Sequence, residues 1–125
     1  MSCNCRHIDR YALGKAGEDV ACTYLTSLGY LVISRREKLA YYEIDIVAKF
    51  REKYLFVEVK TVSETSPISA VEEYSRIKSG RFKKAVFHYL DKYKLHTPWS
   101  ADLVCVTISD RRHWVEHYKD VFSGY

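Results

Sequence analysis

Prolines and glycines are scarce, 2 and 5 among 125 residues. No Pro/Gly-rich linker, low-complexity tract or internal repeat divides the chain. It therefore reads as one domain over 1–125, with 1–9 expected to be flexible, since about 100–150 residues is an ordinary size for a single core. Long apolar runs are missing as well. None approaches the ~18 residues that a membrane span needs, and the start, Met1-Ser2-Cys3-Asn4-Cys5-Arg6-His7, carries no apolar segment of a secretory signal. The expectation is a cytoplasmic protein without membrane contact. Its 4 cysteines then read as reduced thiols rather than disulfides. Cys22 and Cys105 fall at apolar-periodic positions and read as core. The Cys3-x-Cys5 pair with His7 lacks the roughly four ligands of a metal site.

Aromatic residues are plentiful, with 2 Trp, 11 Tyr and 5 Phe. Such a chain can bury enough apolar surface to offset the entropy of ordering, which excludes general disorder. The formal charge is a modest +4, but it is unevenly placed. Residues 1–75 and 95–125 each sum to −1, whereas 76–94 carries Arg76, Lys78, Arg81, Lys83, Lys84, Lys92 and Lys94 against Asp91 alone. Two readings fit a basic segment of this kind: a solvated helix face, or the electrostatic footprint of an anionic polymer.

Apolar spacing of three and four predicts a helix over 10–28, through Leu13, Ala16, Val20, Tyr24 and Leu28, with Gly29 as its stop. Strands are predicted over 30–35, 41–49 and 54–60, the last two joined as an antiparallel hairpin. A polar connection spans 61–75. A second helix follows, with Ser75 as its N-cap and Phe82, Ala85, Val86, Tyr89, Leu90 and Tyr93 on one stripe. Strands over 102–108 and 113–118 close the chain. The order α-β-β-β-α-β-β, with a parallel pairing of the strands before and after the second helix, predicts an α/β fold with a small mixed sheet flanked by helices.

Acidic residues stand inside two of these strands. Alternation in 42–47 puts Glu43, Asp45 and Val47 on one face, and in 54–60 it puts Phe56, Glu58 and Lys60 opposite Leu55, Val57 and Val59. A carboxylate inside an apolar run is costly unless it is paired or binds a metal. Two of them on adjacent strands suit a hard divalent cation such as Mg²⁺. Lys60 projects to the side of Glu58, where it could bind phosphate or position a water. The alternative is an ordinary solvated strand face with a Glu58–Lys60 surface pair. Glu18, on the flank of the first helical stripe, could approach the same place.

The residues Gly17-Glu18, Ala21, Tyr24-Leu25, Gly29-Tyr30, Glu43-Ile44-Asp45 and Phe56-Val57-Glu58-Val59-Lys60-Thr61 resemble the YraN family of bacterial endonuclease-like proteins. So do Ala70-Val71, Lys78-x-x-Arg81-Phe82, Ala85, Tyr89-Leu90, Asp102-Leu103-Val104 and His117 with Phe122. The resemblance runs in order through nearly the whole chain from about residue 12. It implies the restriction-endonuclease-like fold of the PD-(D/E)xK nuclease superfamily, whose near relatives include archaeal Holliday junction resolvases. By the same resemblance Asp45, Glu58 and the Val59 carbonyl would bind Mg²⁺, with Mn²⁺ a possible substitute. Lys60 would be the catalytic lysine, Glu18 a supporting acid and Glu43 a further supporting residue. Lys78, Arg81 and Lys84 would bind the nucleic-acid backbone. The chain departs from the family in having Tyr42 where a glycine is usual, Val62 where an arginine is common, and Arg36 where an asparagine is common.

Two functions follow as expectations. One is a Mg²⁺-dependent endonuclease acting on DNA, selective for branched or single-stranded structure, since phosphate contacts carry no sequence information. The other is a non-catalytic nucleic-acid-binding module or a subunit of a DNA repair or uptake assembly. Superfamily members are often dimers, so a homodimer is an open expectation. Trp99, beside Pro98, is expected in an exposed loop where it could stack on bases. His113 and His117, four apart on a strand, lie about 13 Å apart, too far to share one ion.

Overall fold

The computed structural model describes residues 10–64 and 79–123. Their order is α1 (Arg10–Ser27), β1 (Leu31–Leu39), β2 (Tyr42–Phe50), β3 (Lys53–Ser63), α2 (Ser79–Lys92), β4 (Trp99–Ile108) and β5 (His113–Ser123). The α-β-β-β-α-β-β order is the one expected. One sheet runs β1-β2-β3-β4-β5, with β3 and β4 parallel and all other neighbours antiparallel. Residues 1–9, Cys3 and Cys5 among them, and the Ser75 N-cap lie outside the described residues.

Among the described residues, each face of the sheet carries one helix because each carries its own apolar set. On one side Ala21 and Leu25 of α1 pack against Ile46, Ala48, Leu55, Val57, Val104 and Val106. On the other, Phe82, Ala85, Val86 and Tyr89 of α2 pack against Val47, Phe56, Trp99, Ala101 and Leu103. This is the stripe read from the sequence. Cys105 is buried on the α2 side and Cys22 half-buried on the α1 side.

Both helices end in the same hydrogen-bonded cap. After α1, the Tyr30 N–H donates to the Leu25 carbonyl at 3.1 Å and the Gly29 N–H to Thr26 at 3.0 Å. Gly29 takes the left-handed conformation (φ 97°) that this cap requires. After α2 the Leu95 N–H reaches Leu90 at 3.1 Å and the Lys94 N–H reaches Asp91 at 3.3 Å. There Lys94 occupies the left-handed position (φ 52°) that glycine would fill more easily.

Three sequence expectations need correction. The outer strands are longer than periodicity indicated: β5 continues past Tyr118 to Ser123, across a register shift opposite Ala101 and Leu103. Trp99 is not an exposed loop residue. It opens β4 in register with Tyr54, is 6% exposed, and meets Phe56 and Phe122 edge-on at 5.9 Å. Alternation also fails along β2. Ile46 and Ala48 pack on the α1 side, yet Ile44 joins the α2 cluster. Across the ladder, Arg36 has φ 54° between the pairs Arg35↔Ile46 and Glu37↔Ile44. A single left-handed residue rolls the β1–β2 hairpin over. Before it, Arg35 reaches Asp19 of α1 at 2.8 Å; after it, Glu37 accepts the Tyr93 hydroxyl at 2.9 Å, beside the C-terminal end of α2.

Candidate active site

Asp45 stands at that roll. The β2–β3 ladder runs from Phe50↔Lys53 to Ile46↔Val57 and goes no further. Beyond it, β2 peels away, and the next N–H on that edge of β3 needs another acceptor. Asp45 supplies it: its Oδ2 accepts the Val59 N–H at 2.8 Å. A strand residue sends its N–H and C=O out by the same edge, so the Val59 carbonyl leaves β3 on the side of Asp45.

Glu58 and Lys60 flank Val59 and point to the α2 face. Their partners in the parallel ladder are Leu103 and Cys105, both in the α2-side core. The row continues onto β5, giving Glu58, Leu103 and Tyr118 in one row and Lys60, Cys105 and Glu116 in the next. The electrostatics of Cys105 agree with that placement. Burial, then the negative charge of Glu116, push its thiol up to about 11, and the positive charge of Lys60 opposes them. Glu58 and Lys60 are both half-buried.

Glu18 reaches this region from the other side. Gly17 sits against Thr61 of β3, which brings the α1 backbone close to the strand. The Glu18 carboxylate turns toward β1, meeting Arg36 Nε at 3.0 Å and Arg35 at 3.4 Å, and is 12% exposed. Arg36 lies in β1 between the partners of Ile46 and Ile44, and its guanidinium also lies 5.7 Å over the ring of Tyr11. Arg35 also binds Asp19, whose carboxyl is held below the usual range chiefly by that hydrogen bond. Among the described residues, no group of three or more His, Cys, Asp or Glu side chains converges as a metal site. Glu43 is exposed and pairs with Lys38 at 3.5 Å.

On α2, Arg81 and Lys84 are exposed on one flank, Arg81 lying 5.9 Å over the ring of Tyr42. Tyr42 also stacks on His88 at 5.3 Å. Lys78 lies outside the described residues.

One buried polar constellation was missed by sequence reasoning. Asp102 and His117 are almost wholly buried, and Asp102 Oδ2 lies 2.7 Å from His117 Nε2. Asp102 Oδ1 accepts the Asp120 N–H at 2.8 Å, where Asp120 has φ 58° at the irregularity of β5. The Tyr24 hydroxyl lies 2.8 Å from His117 Nδ1. An ionised carboxylate only accepts, so the Nε2–H of the ring donates to Asp102. Burial, then the charge of Asp102, raise the Tyr24 phenol, which keeps its proton. The network ties α1 to the β4–β5 edge. A signal was present: Asp102 is an acid among residues 99–106, all of them buried, the same anomaly that singled out Asp45 and Glu58.

Comparisons with known proteins place this arrangement in context. A model of the uncharacterised protein family UPF0102 matches residues 17–106, from the Gly17–Thr61 contact through most of β4. A UPF0102 protein of Bacteroides thetaiotaomicron is 33% identical over 110 residues, covering 88% of this chain and 91% of the relative. One from Shewanella sp. strain ANA-3 is 32% identical over 103 residues, 82% of this chain and 94% of its own. One from Carboxydothermus hydrogenoformans is 31% identical over 117 residues, covering 93% and 99%.

Proposed function

The chain belongs to the UPF0102 family, the YraN family of the sequence resemblance, and from that premise we propose that it is a Mg²⁺-dependent endonuclease acting on DNA by structure rather than sequence. The observation that carries the reading is Asp45, fixed on the Val59 N–H at 2.8 Å at the point where β2 leaves β3. It places a carboxylate between two strands, beside Glu58 and Lys60.

The donor set fits a hard cation: carboxylates from Asp45 and Glu58 and the Val59 carbonyl, all oxygen. Asp45, Glu58 and the Val59 carbonyl would hold the Mg²⁺, or Mn²⁺ in its place, and when bound it would supply charge neutralisation at the scissile phosphate and acidify a water. The chain's own residues do the rest. The Asp45–Val59 hydrogen bond fixes the carboxylate and the strand edge relative to each other before substrate arrives. The Lys60 ammonium, two residues beyond Glu58 on the same face, donates to the incoming water or to a phosphate oxygen. Arg81 and Lys84, joined by Lys78, hold backbone phosphates, which positions without reading bases. A cytoplasmic location belongs to the same proposal. Among the described residues no helix is long and apolar enough to cross a membrane.

The test is cleavage of branched, nicked and single-stranded DNA with Mg²⁺ or Mn²⁺ by wild type, Asp45→Asn and Lys60→Ala. Activity lost in both variants with binding retained supports the enzyme. Equal trace activity in all three refutes it. For the basic helix, Arg81→Ala with Lys84→Ala should flatten the fall of affinity with salt by roughly two phosphate contacts. One observation favours the second reading, a non-catalytic DNA-binding module: the Glu18 carboxylate is engaged by Arg35 and Arg36. That reading predicts binding by wild type, Asp45→Asn and Lys60→Ala alike, with cleavage by none.

A further inference from the structure

The two rows that carry Glu58 and Lys60 run across the sheet to an exposed strand. In β5, Glu116 opposes Cys105 and Tyr118 opposes Leu103, while Trp114 opposes Thr107. Directly opposed residues project to one face, and Leu103 and Cys105 belong to the α2-side core. Trp114, Glu116 and Tyr118 therefore share the face of Glu58 and Lys60, two strand spacings away, about 10 Å. Helix α2 contacts β2 and β1, packs on Phe56 of β3 and on Trp99, Ala101 and Leu103 of β4, and meets β5 near its end, through Phe82 on Phe122 at 5.3 Å. Trp114 and Tyr118 remain 39% and 37% exposed.

Partly exposed aromatic residues are ordinary on a surface; what marks these two is that they share one strand and one sheet face with Glu58 and Lys60. Their polar neighbours indicate what they meet. The Arg112 guanidinium lies 5.5 Å over the Trp114 ring, and Arg111 follows Asp110 at the tip of the same hairpin. The Tyr118 hydroxyl donates to Glu116 at 3.3 Å. Glu116, midway between the rings, repels phosphates there, so attraction along β5 has to come through ring faces, with phosphate held at the arginine end. Flat faces beside a guanidinium suit a nucleobase with its own phosphate, and every base offers such a face only when it is unpaired.

We propose that Trp114 and Tyr118 form a stacking platform for unpaired bases, which makes the substrate a DNA with a single-stranded segment lying across β5 toward Lys60. This deepens the nuclease reading and rests on it for the position of the scissile phosphate. The binding itself does not require cleavage.

The test measures binding in EDTA, where nothing is cut, to fluorescein-labelled dT oligonucleotide and to a blunt duplex. Wild type, Trp114→Ala, Tyr118→Ala and Trp114→Phe are compared over a range of salt. Trp114→Ala should weaken single-strand binding about 5- to 100-fold and leave duplex affinity and the salt slope unchanged. Trp114→Phe should retain most of the affinity while losing the fluorescence quenching that the oligonucleotide causes, since Trp99 is buried. Unchanged single-strand affinity in Trp114→Ala overturns the platform, as does an equal loss for both DNAs. A change from dimer to monomer in sedimentation, with DNA affinity intact, would assign the rings to a second copy and also overturns it. If wild type cleaves DNA but fails these binding criteria, the platform alone falls. If the criteria are met and no cleavage is found, catalysis alone falls.

Discussion

Gly17 is the position at which a single methyl group should do most harm. It lies within α1, where alanine is ordinarily preferred to glycine by up to about 1 kcal/mol. A Cβ added there would fall on the Thr61 Oγ1 of β3 and within 2.7 Å of both its Cβ and Cγ2. Carbon atoms in comfortable contact sit about 3.5–4.0 Å apart. Rotating Thr61 exchanges hydroxyl for methyl but leaves its Cβ in place, so the helix itself must move outward by about 1 Å. That movement loosens Ala21 and Leu25 from Val57 and Val104. Overpacking of this kind costs about 1–3 kcal/mol beyond the propensity gain. At roughly 4 °C per kcal/mol for a chain of this size, Gly17→Ala should melt roughly 4–12 °C below wild type. Gly14, one turn earlier on the same helix, is the internal control, because a Cβ there meets nothing within 4 Å. Gly14→Ala should raise the melting temperature by a few degrees. A double-mutant cycle with Thr61→Gly should return a favourable coupling of the two substitutions in urea unfolding. If Gly17→Ala proves as stable as Gly14→Ala, the close approach of α1 to β3 is wrong.

Other expectations follow from the same geometry. His117→Leu leaves the Asp102 carboxylate buried on the Asp120 N–H without its imidazole partner and should cost about 3–5 kcal/mol. Asp102→Asn should cost about 1–3 and Tyr24→Phe about 0.5–1.5 kcal/mol; urea titration giving the reverse order would break the network as drawn. Cys105 has a folded pKa of about 11 against an ordinary 9.0. Its contribution is thus complete below pH 9 and lost as pH rises to 11, up to about 3 kcal/mol. Cys105→Val should flatten the pH dependence of stability across that window, and parallel curves would contradict the burial. Lys94→Gly should stabilise by about 1 kcal/mol, because a left-handed residue with a side chain caps α2; a loss of stability in thermal melting would show that the lysine side chain matters more than the backbone.

Much of this was legible along the chain because burial leaves a local period. The α2 stripe from Phe82 to Tyr89, the alternation that sends Glu58 and Lys60 to one face of β3, and the glycine that ends α1 depend on neighbours a few residues apart. These features fixed the element order and picked out the acidic residues. Counting by twos assumes a regular strand, and it failed where the backbone is irregular. A left-handed Arg36 rolls β1 and β2, moves Ile44 to the other face from Ile46, and turns Asp45 along the sheet edge to the Val59 N–H. Trp99 looked like a loop residue beside proline because its burial depends on Phe56 and Phe122, which the fold alone brings to it. Tyr24, Asp102 and His117 come from α1, β4 and β5. Residue types along a chain determine which groups need partners: a buried acid must find a donor wherever it lies. Which donor it finds, and which face it takes, is decided by strand order and by single left-handed residues, and those are set by packing between segments far apart in the chain.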